Sequence, residues 1–409
     1  MSRTVDPAAA GSAPGRRNLR SAMFSVHKWV GIHLSIYFGI LLLSGALLTV
    51  GKELALVGRP DLWVPQVSDR AEAPLSEIYA NLLADDPERR VHFVLKSATP
   101  WLSGEAYVSS PDRGGEVIQF DRYDATVLGP RPQIKIFEII EQIHVALLVP
   151  IGPVSTLVNA TSLVMLTMVA TGLIAYRRFW RGFFRWPKRD MTERMRMGAY
   201  HRLVAVWIAP FLVVMAVTSS IFLLEDLGMQ SAPEPPPALT NRDTALPPDF
   251  GPEAMARAEA AAVAAIDGFK PTMFGLPDDP AKGILIGGIV EEAPFLSVGS
   301  EVIVDPLTFE VLQATRTEEL SPRIWSIRYA REIHYGLWGG RPAQLLWVAF
   351  GFIAGTLVLT GALVYAARTA PAAPGTSAVR RVWLGLGPLR WAYALLGAGM
   401  LLRIIQIAL

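Results

Sequence analysis

Cysteine is absent from the 409-residue sequence. Its absence removes disulfides, thiolate zinc sites, cysteine-ligated iron–sulfur clusters and covalent c-type haem attachment, leaving His, Met and carboxylates for any metal chemistry. Charge is scarce as well: Asp, Glu, Lys and Arg amount to 18% of the chain against 51% hydrophobic residues, a balance that soluble domains of this length rarely reach. Membrane spans are therefore expected. The net charge of +2 conceals grouped basic residues that carry topological information, and no nucleic-acid partner is expected. Histidine is rare, with six in all, so the placement of each is informative.

What the sequence has in quantity is long apolar runs. A membrane helix needs roughly 20 mostly apolar residues, and four segments supply them: 29–50, 155–176, 203–224 and 345–365. A fifth, 383–409, contains Arg390 and Arg403; it spans from about residue 391 or lies partly in the interface with its arginines snorkelling. Short basic loops stay in the cytoplasm. Residues 177–202 carry nine Arg or Lys against Asp190 and Glu193, and 368–390 carry four arginines and no acid. Both loops are expected to face inward with Arg16, Arg17 and Arg20, and the net-acidic inserts after the first and third spans to face outward.

The two halves of the chain repeat one another. HKWVG begins at His27 and Ser44-Gly45 follows seventeen residues later; HRLVA begins at His201 and Thr218-Ser219 follows at the same offset. IHVALLVPIGP places His144 nine residues before Pro153, and IHYGLWGGRP places His334 eight before Pro342. Each leads into a helix ending in Thr-Gly, at Thr171-Gly172 and Thr360-Gly361. Both inserts read as α+β modules, with helices over 74–84 and 252–266 and strand runs over 91–96, 105–109 and 283–290. They close on matching strand patterns from Val117 and Val302, with Asp121 and Asp305 at a turn. Residues 231–252 are Pro-rich and read as a linker.

The fold class that follows is an α-helical integral membrane protein with four core helices in two pseudo-symmetric repeats, a fifth C-terminal helix and two small α+β inserts. Along the chain this gives a disordered cytoplasmic lead (1–20), helix 1 (21–50), the first insert (51–133), an interfacial helix with helix 2 (134–178) and a basic cytoplasmic loop (179–200). Helix 3 (201–224), the linker with the second insert (225–321), an interfacial helix with helix 4 (322–367), a cytoplasmic loop (368–382) and helix 5 (383–409) complete it.

Five of the six histidines fall at membrane boundaries or within a span. His27 and His201 fall at the inner ends of the first and third helices, and His144 and His334 on amphipathic helices near the outer surface. Neutral imidazole is the usual protein ligand for haem iron, a low-spin electron-transfer haem takes one on each axial face, and bundled helices supply such pairs. One haem held by His27 and His201 and a second held by His144 and His334 are expected, as an electron ladder across a core about 30 Å thick. The bland alternative is that interfacial histidines bond headgroups or carbonyls; their recurrence in both copies weighs against it. His33 lies deeper on the first helix and its counterpart is Trp207; it is a second-rank candidate to replace His27, to bond a propionate, or to serve a quinone or proton relay. His92 reads as structural. Arg331 and Arg341 are second-rank propionate partners, as are Lys28 and Arg202, for which interfacial snorkelling serves equally. Gly172, Gly336, Gly339, Gly340 and Gly361 either let a flat macrocycle approach the backbone or serve helix packing. Trp180, Phe183, Phe184 and Trp186 read as an interfacial belt.

The segments HKWVGIHLSIYFGILLLSGALL, IHVALLVPIGP, YHRLVAVW and IHYGLWGG, in this order and spacing, resemble the PepSY-associated transmembrane family from about residue 21 to 368. The resemblance implies periplasmic PepSY-like inserts, a bacterial inner-membrane location and, by analogy with ferric-siderophore reductases of the family, electron transfer to a periplasmic Fe(III)-siderophore that releases Fe(II). Axial ligation carries over to His27, His144, His201 and His334 alone. The second copy departs from the pattern where Ala205 replaces Gly and where Thr218-Ser219 replaces Thr/Ser-Gly. With no Gly-rich nucleotide loop, electrons have to come from a quinol or a separate cytoplasmic reductase. The substrate surface is expected beside the outer haem, near Tyr335, Trp338 and Arg341. A membrane sensor or assembly factor using the inserts to bind a peptide or protein is the competing function, and redox-active haem absorption separates the two. A metal transporter ranks below both, since no span combines buried acids with His or Met at helical spacing.

Overall fold

The computed structural model describes residues 19–64, 71–131, 135–149, 152–176, 178–182, 185–230, 232–236, 238–240, 242–290, 299–369 and 377–408. Phe183, Phe184 and most of the expected N-terminal lead lie outside this set. The helices in chain order are α1 (Leu19–His33), α2 (Ser35–Leu48), α3 (Gly51–Ala55), α4 (Leu75–Asp85), α5 (Lys135–Ala146) and α6 (Val154–Ala175). They continue with α7 (Glu193–Asp226), α8 (Pro252–Ala265), α9 (Pro322–His334), α10 (Gly340–Thr369), α11 (Ala378–Gly385) and α12 (Leu389–Ala408). Three helical stretches among the described residues, Val154–Ala175, Arg194–Asp226 and Leu337–Ala366, are long and apolar enough to cross a membrane, and two bent pairs, α1 with α2 and α11 with α12, raise the number to as many as five. The chain divides into two compact units: one takes in residues up to 39, 164–213 and 354–394, the other 40–163, 214–353 and 395–409.

In the first unit the opening span, read above as one helix, is broken at Leu34, with α1 and α2 bent by 68°. The cause is competition for helix carbonyls. The Ser35 hydroxyl donates to Ile32 O at 2.8 Å, and the Tyr393 phenol donates to His33 O at 2.6 Å while taking the Tyr37 backbone N–H, so a side chain is inserted into the bond that would join His33 to Tyr37. The Arg20 guanidinium reaches the Ala175 carbonyl at 3.1 Å, supplying a cation and a donor to the last turn of α6. The expected fifth helix divides as well, into α11 and α12 bent by 109°. Gly387 is left-handed (φ 58°) and Pro388 has no N–H to continue the ladder. The basic segment 179–200 is partly helical, since α7 starts at Glu193, ahead of its apolar run.

The second unit holds both inserts, and here the expectation of two separate modules needs correcting. Strands β1 (Arg90–Leu95), β2 (Gly104–Ser110), β3 (Gly114–Phe120) and β4 (Val127–Pro130) come from the first insert, and β5 (Phe269–Gly275), β6 (Ile284–Val290), β7 (Ser300–Val304) and β8 (Val311–Thr315) from the second. All eight form one antiparallel sheet in the order β4-β3-β2-β1-β5-β6-β7-β8. The halves join where β1 pairs with β5, Val94 opposite Phe274. Alternating apolar residues, including Val94, Ile118, Phe120, Phe274, Ile286 and Val302, cover one face of the sheet and pack with α4 and α8 in a single core. Asp121 and Asp305 make the expected turns: each carboxylate accepts the backbone N–H two residues on, from Tyr123 and Leu307 at 2.7 Å. Four residues after each Asp, Ala125 and Phe309 take left-handed φ values of 57° and 62°, so the two hairpins turn alike. One tie across the halves is polar. Pro74 cannot cap α4, and the buried Glu259 of α8 does so instead, accepting the Leu75 and Ser76 N–H groups at 2.8 and 2.9 Å.

Candidate functional site

Two of the expected ligands, His27 on α1 and His201 on α7, lie in the first unit. Each imidazole is docked on the helix that follows in its own repeat. His27 Nδ1 lies 3.0 Å from Met168 O and 3.3 Å from the Thr171 hydroxyl on α6, and His201 Nδ1 lies 3.2 Å from Leu357 O on α10. A carbonyl only accepts, so Nδ1 carries the proton in both rings and Nε2 keeps its lone pair. Each ring also rests on a glycine four residues beyond its carbonyl. A Cβ added at Gly172 would stand 3.0 Å from His27 Cε1, and one at Gly361 would stand 2.9 Å from His201 Cε1. These two glycines thus make room for the imidazoles, where the sequence offered a macrocycle or helix packing.

In the second unit His144 on α5 and His334 on α9 come together, with ring centres 6.4 Å apart and planes inclined by 50°. His144 Nδ1 lies 3.0 Å from Leu41 O and 3.1 Å from the Ser44 hydroxyl on α2, and a Cβ at Gly45 would stand 2.7 Å from its Cε1. Three of the four imidazoles therefore use one device: a carbonyl at position i, a hydroxyl residue at i+3 and a glycine at i+4 on the receiving helix. His334 differs. Among the described residues its Nδ1 has one hydrogen-bond partner, the Thr218 hydroxyl of α7 at 2.9 Å. That hydroxyl gives its own proton to the Val214 and Met215 carbonyls, at 2.9 and 3.0 Å, so His334 Nδ1 is again the donor. Burial pushes His334 down to about 3 and His144 adds to the shift. Burial also lowers His144, with the bond to Leu41 acting in the opposite sense. Both rings are neutral near pH 7.

The second-rank residues are engaged locally. His33 sits at the break that ends α1, with Nδ1 2.7 Å from Trp29 O and its ring 4.5 Å from the Trp29 ring. Its counterpart Trp207 packs on Trp186 at 5.6 Å. Arg331 pairs with Glu225 at 2.5 Å, and the Arg341 guanidinium lies 4.8 Å over the Trp101 ring. Arg202 lies 5.9 Å over the ring of Tyr176. His92 bonds Ser109 at 2.7 Å within the sheet. Tyr335 and Trp338 are half exposed, and Trp338 packs at 5.4 Å on Trp347, whose indole N–H holds the Ile333 carbonyl at 2.8 Å at the end of α9.

Sequence reasoning missed the partners of the imidazoles. Ser44-Gly45, Thr171-Gly172, Thr218-Ser219 and Thr360-Gly361 were visible as repeat marks, and their meaning lies in what stacks on them. Among the described residues no three His, Cys, Asp or Glu converge as a metal site. The expected ligand histidines fall two to a unit, one from each repeat, and Nδ1 of each is hydrogen-bonded. No curated protein is similar enough to the chain to count as a relative. The model of the PepSY-associated TM region matches residues 24–368, a stretch that takes in all four of these imidazoles and both inserts, and the chain belongs to that family.

Proposed function

We propose that the chain is a haem b-containing inner-membrane reductase with two bis-imidazole centres, passing electrons from a quinol or a cytoplasmic reductase to a periplasmic Fe(III)-siderophore. The observation that carries this reading is the 6.4 Å between the His144 and His334 ring centres. A metal–imidazole bond of about 2.0 Å, with the ring centre roughly 1.1 Å behind the nitrogen, puts the centres of two axial imidazoles roughly 6 Å apart. A porphyrin supplies the other four donors, so two protein ligands suffice. The spacing of His144 and His334 therefore fits the group.

Haem b held by His27 and His201 and by His144 and His334 would supply one-electron chemistry, at a potential tuned by these imidazoles and their hydrogen-bond partners. The protein contributes orientation: the carbonyl and hydroxyl acceptors fix the tautomer and the ring plane, and the glycines admit the ring. Grouped basic residues support a cytoplasmic side for the His27–His201 pair and a periplasmic side for the His144–His334 pair and the inserts. One electron converts the chelated Fe(III) to Fe(II), which hard oxygen ligands hold less tightly, and the metal is released.

The test is an optical spectrum of the detergent-purified protein, oxidised and dithionite-reduced, with haem quantified as the pyridine haemochromogen. Two b haems per chain are expected, with His27→Ala and His201→Ala removing one and His144→Ala and His334→Ala the other. A folded protein that stays colourless after expression with ample haem overturns the reading and favours a sensor or assembly factor.

A further inference from the structure

His334 breaks the pattern of the other three imidazoles, and the cause is in the sequence. The carbonyls that accept from Nδ1 belong to Leu41, Met168 and Leu357, each four residues before a glycine, at Gly45, Gly172 and Gly361. The corresponding carbonyl on α7 is Met215, and four residues on stands Ser219. At the three glycines an added Cβ would come within 2.7–3.0 Å of the imidazole Cε1, so a residue with a Cβ holds a ring off the helix. The Thr218 hydroxyl fills the gap. It donates to Met215 O at 3.0 Å and accepts from His334 Nδ1 at 2.9 Å, standing between the ring and the carbonyl it would otherwise reach.

An amide oxygen carries more negative charge than a hydroxyl oxygen and draws harder on an Nδ1 proton. A stronger pull there makes Nε2 a better donor, which favours the oxidised metal and lowers its potential. Resting on the two-haem reading, we propose that Ser219 and Thr218 are positioning residues that raise the potential of the His144–His334 centre above that of the His27–His201 centre. The two half-sites in the first unit both use carbonyls, and the second unit has one carbonyl and one hydroxyl. The electron is thereby biased toward the centre that serves the acceptor.

Spectroelectrochemical titration of the full-length protein tests this, with each midpoint assigned from the one-haem His27→Ala and His144→Ala proteins. Ser219→Gly should let the ring settle on the backbone and lower the midpoint of the His144–His334 haem, by up to a tenfold change in its oxidised-to-reduced ratio, about 59 mV for one electron. Ser219→Ala keeps the Cβ and should leave both midpoints in place. Thr218→Val removes the acceptor and should raise the same midpoint, with Thr218→Ser restoring it. Two intact haems in Ser219→Gly with an unmoved or raised midpoint overturn the inference. Should that variant lose its haem, an unmoved midpoint in Thr218→Val overturns it instead. A wild-type chain without haem is a separate result that removes the underlying reading.

Discussion

Adding one methyl group at Gly45 tests the docking geometry directly. A Cβ there would lie 2.7 Å from His144 Cε1, 3.3 Å from Nδ1 and 3.5 Å from Nε2. Carbon atoms rest about 3.5–4.0 Å apart, so the ring has to retreat by about 1 Å. Its bonds to Leu41 O and Ser44, now 3.0 and 3.1 Å, then stretch past hydrogen-bonding range. A metal–nitrogen bond of about 2.0 Å cannot absorb such a shift, and loss of outer-shell support weakens metal binding by about 10–100-fold. Gly45→Ala is therefore expected to purify with one haem per chain and to rebind the second 10–100-fold more weakly when haem is titrated in. Helix propensity runs the other way, because Ala in place of Gly favours the helix by about 1 kcal/mol. Gly39→Ala on the same helix is the control: its Cβ meets only Leu359, at 3.9 Å, and both haems should remain. Two haems of unchanged affinity in Gly45→Ala would refute the reasoning.

Gly361→Ala and Gly172→Ala, with contacts of 2.9 and 3.0 Å, should weaken the other haem in that order of severity, measured by the same titration. Glu259→Ala removes two charge-assisted bonds to the start of α4 and should cost about 2–4 kcal/mol in denaturant unfolding of the purified protein, with Glu259→Gln losing less; an unchanged midpoint would remove the cap from the account. Tyr393→Phe takes the phenol out of the α1–α2 break, and amide exchange at Tyr37 should slow as its N–H recovers the His33 carbonyl. Burial raises the Glu105 carboxyl, but Lys52 and Arg131 draw it down further, to a net value below the usual range. Its contribution to stability is present above the ordinary carboxylate pKa and fades as the pH falls through the lowered value, so Glu105→Gln should flatten the acid limb of the stability profile.

Local rules explain why the repeat, the spans and the four imidazoles could be read in the sequence. Each depends on spacing along the chain, as with the seventeen residues from His27 to Ser44 or the alternation around Asp121. What could not be read depends on distant partners. The bend after His33 is shared between Ser35, a local hydroxyl, and Tyr393, 360 residues away, whose part nothing in the run 35–48 announces. The joining of β1 to β5 is equally silent, since Val94 and Phe274 look like ordinary interior strand residues whether their strand is central or at an edge. The glycines were ambiguous because a small residue reads alike whether it admits a helix, a cofactor or an imidazole.

The β1–β5 seam also bears on the history of the chain. Antiparallel pairing of the same strand from two copies is self-complementary: a twofold axis through the seam exchanges one insert for the other. A half-length chain with one insert would present β1 as an open edge, and a second copy of itself would close it in the same register. Each imidazole is docked on a helix of its own repeat, and each pair needs both repeats. An ancestral homodimer of half-chains would thus have assembled the sheet and both sets of imidazoles before fusion. Fusion then freed the two copies to diverge, which a symmetric dimer forbids, and Ser219 opposite Gly45 is a mark of that freedom.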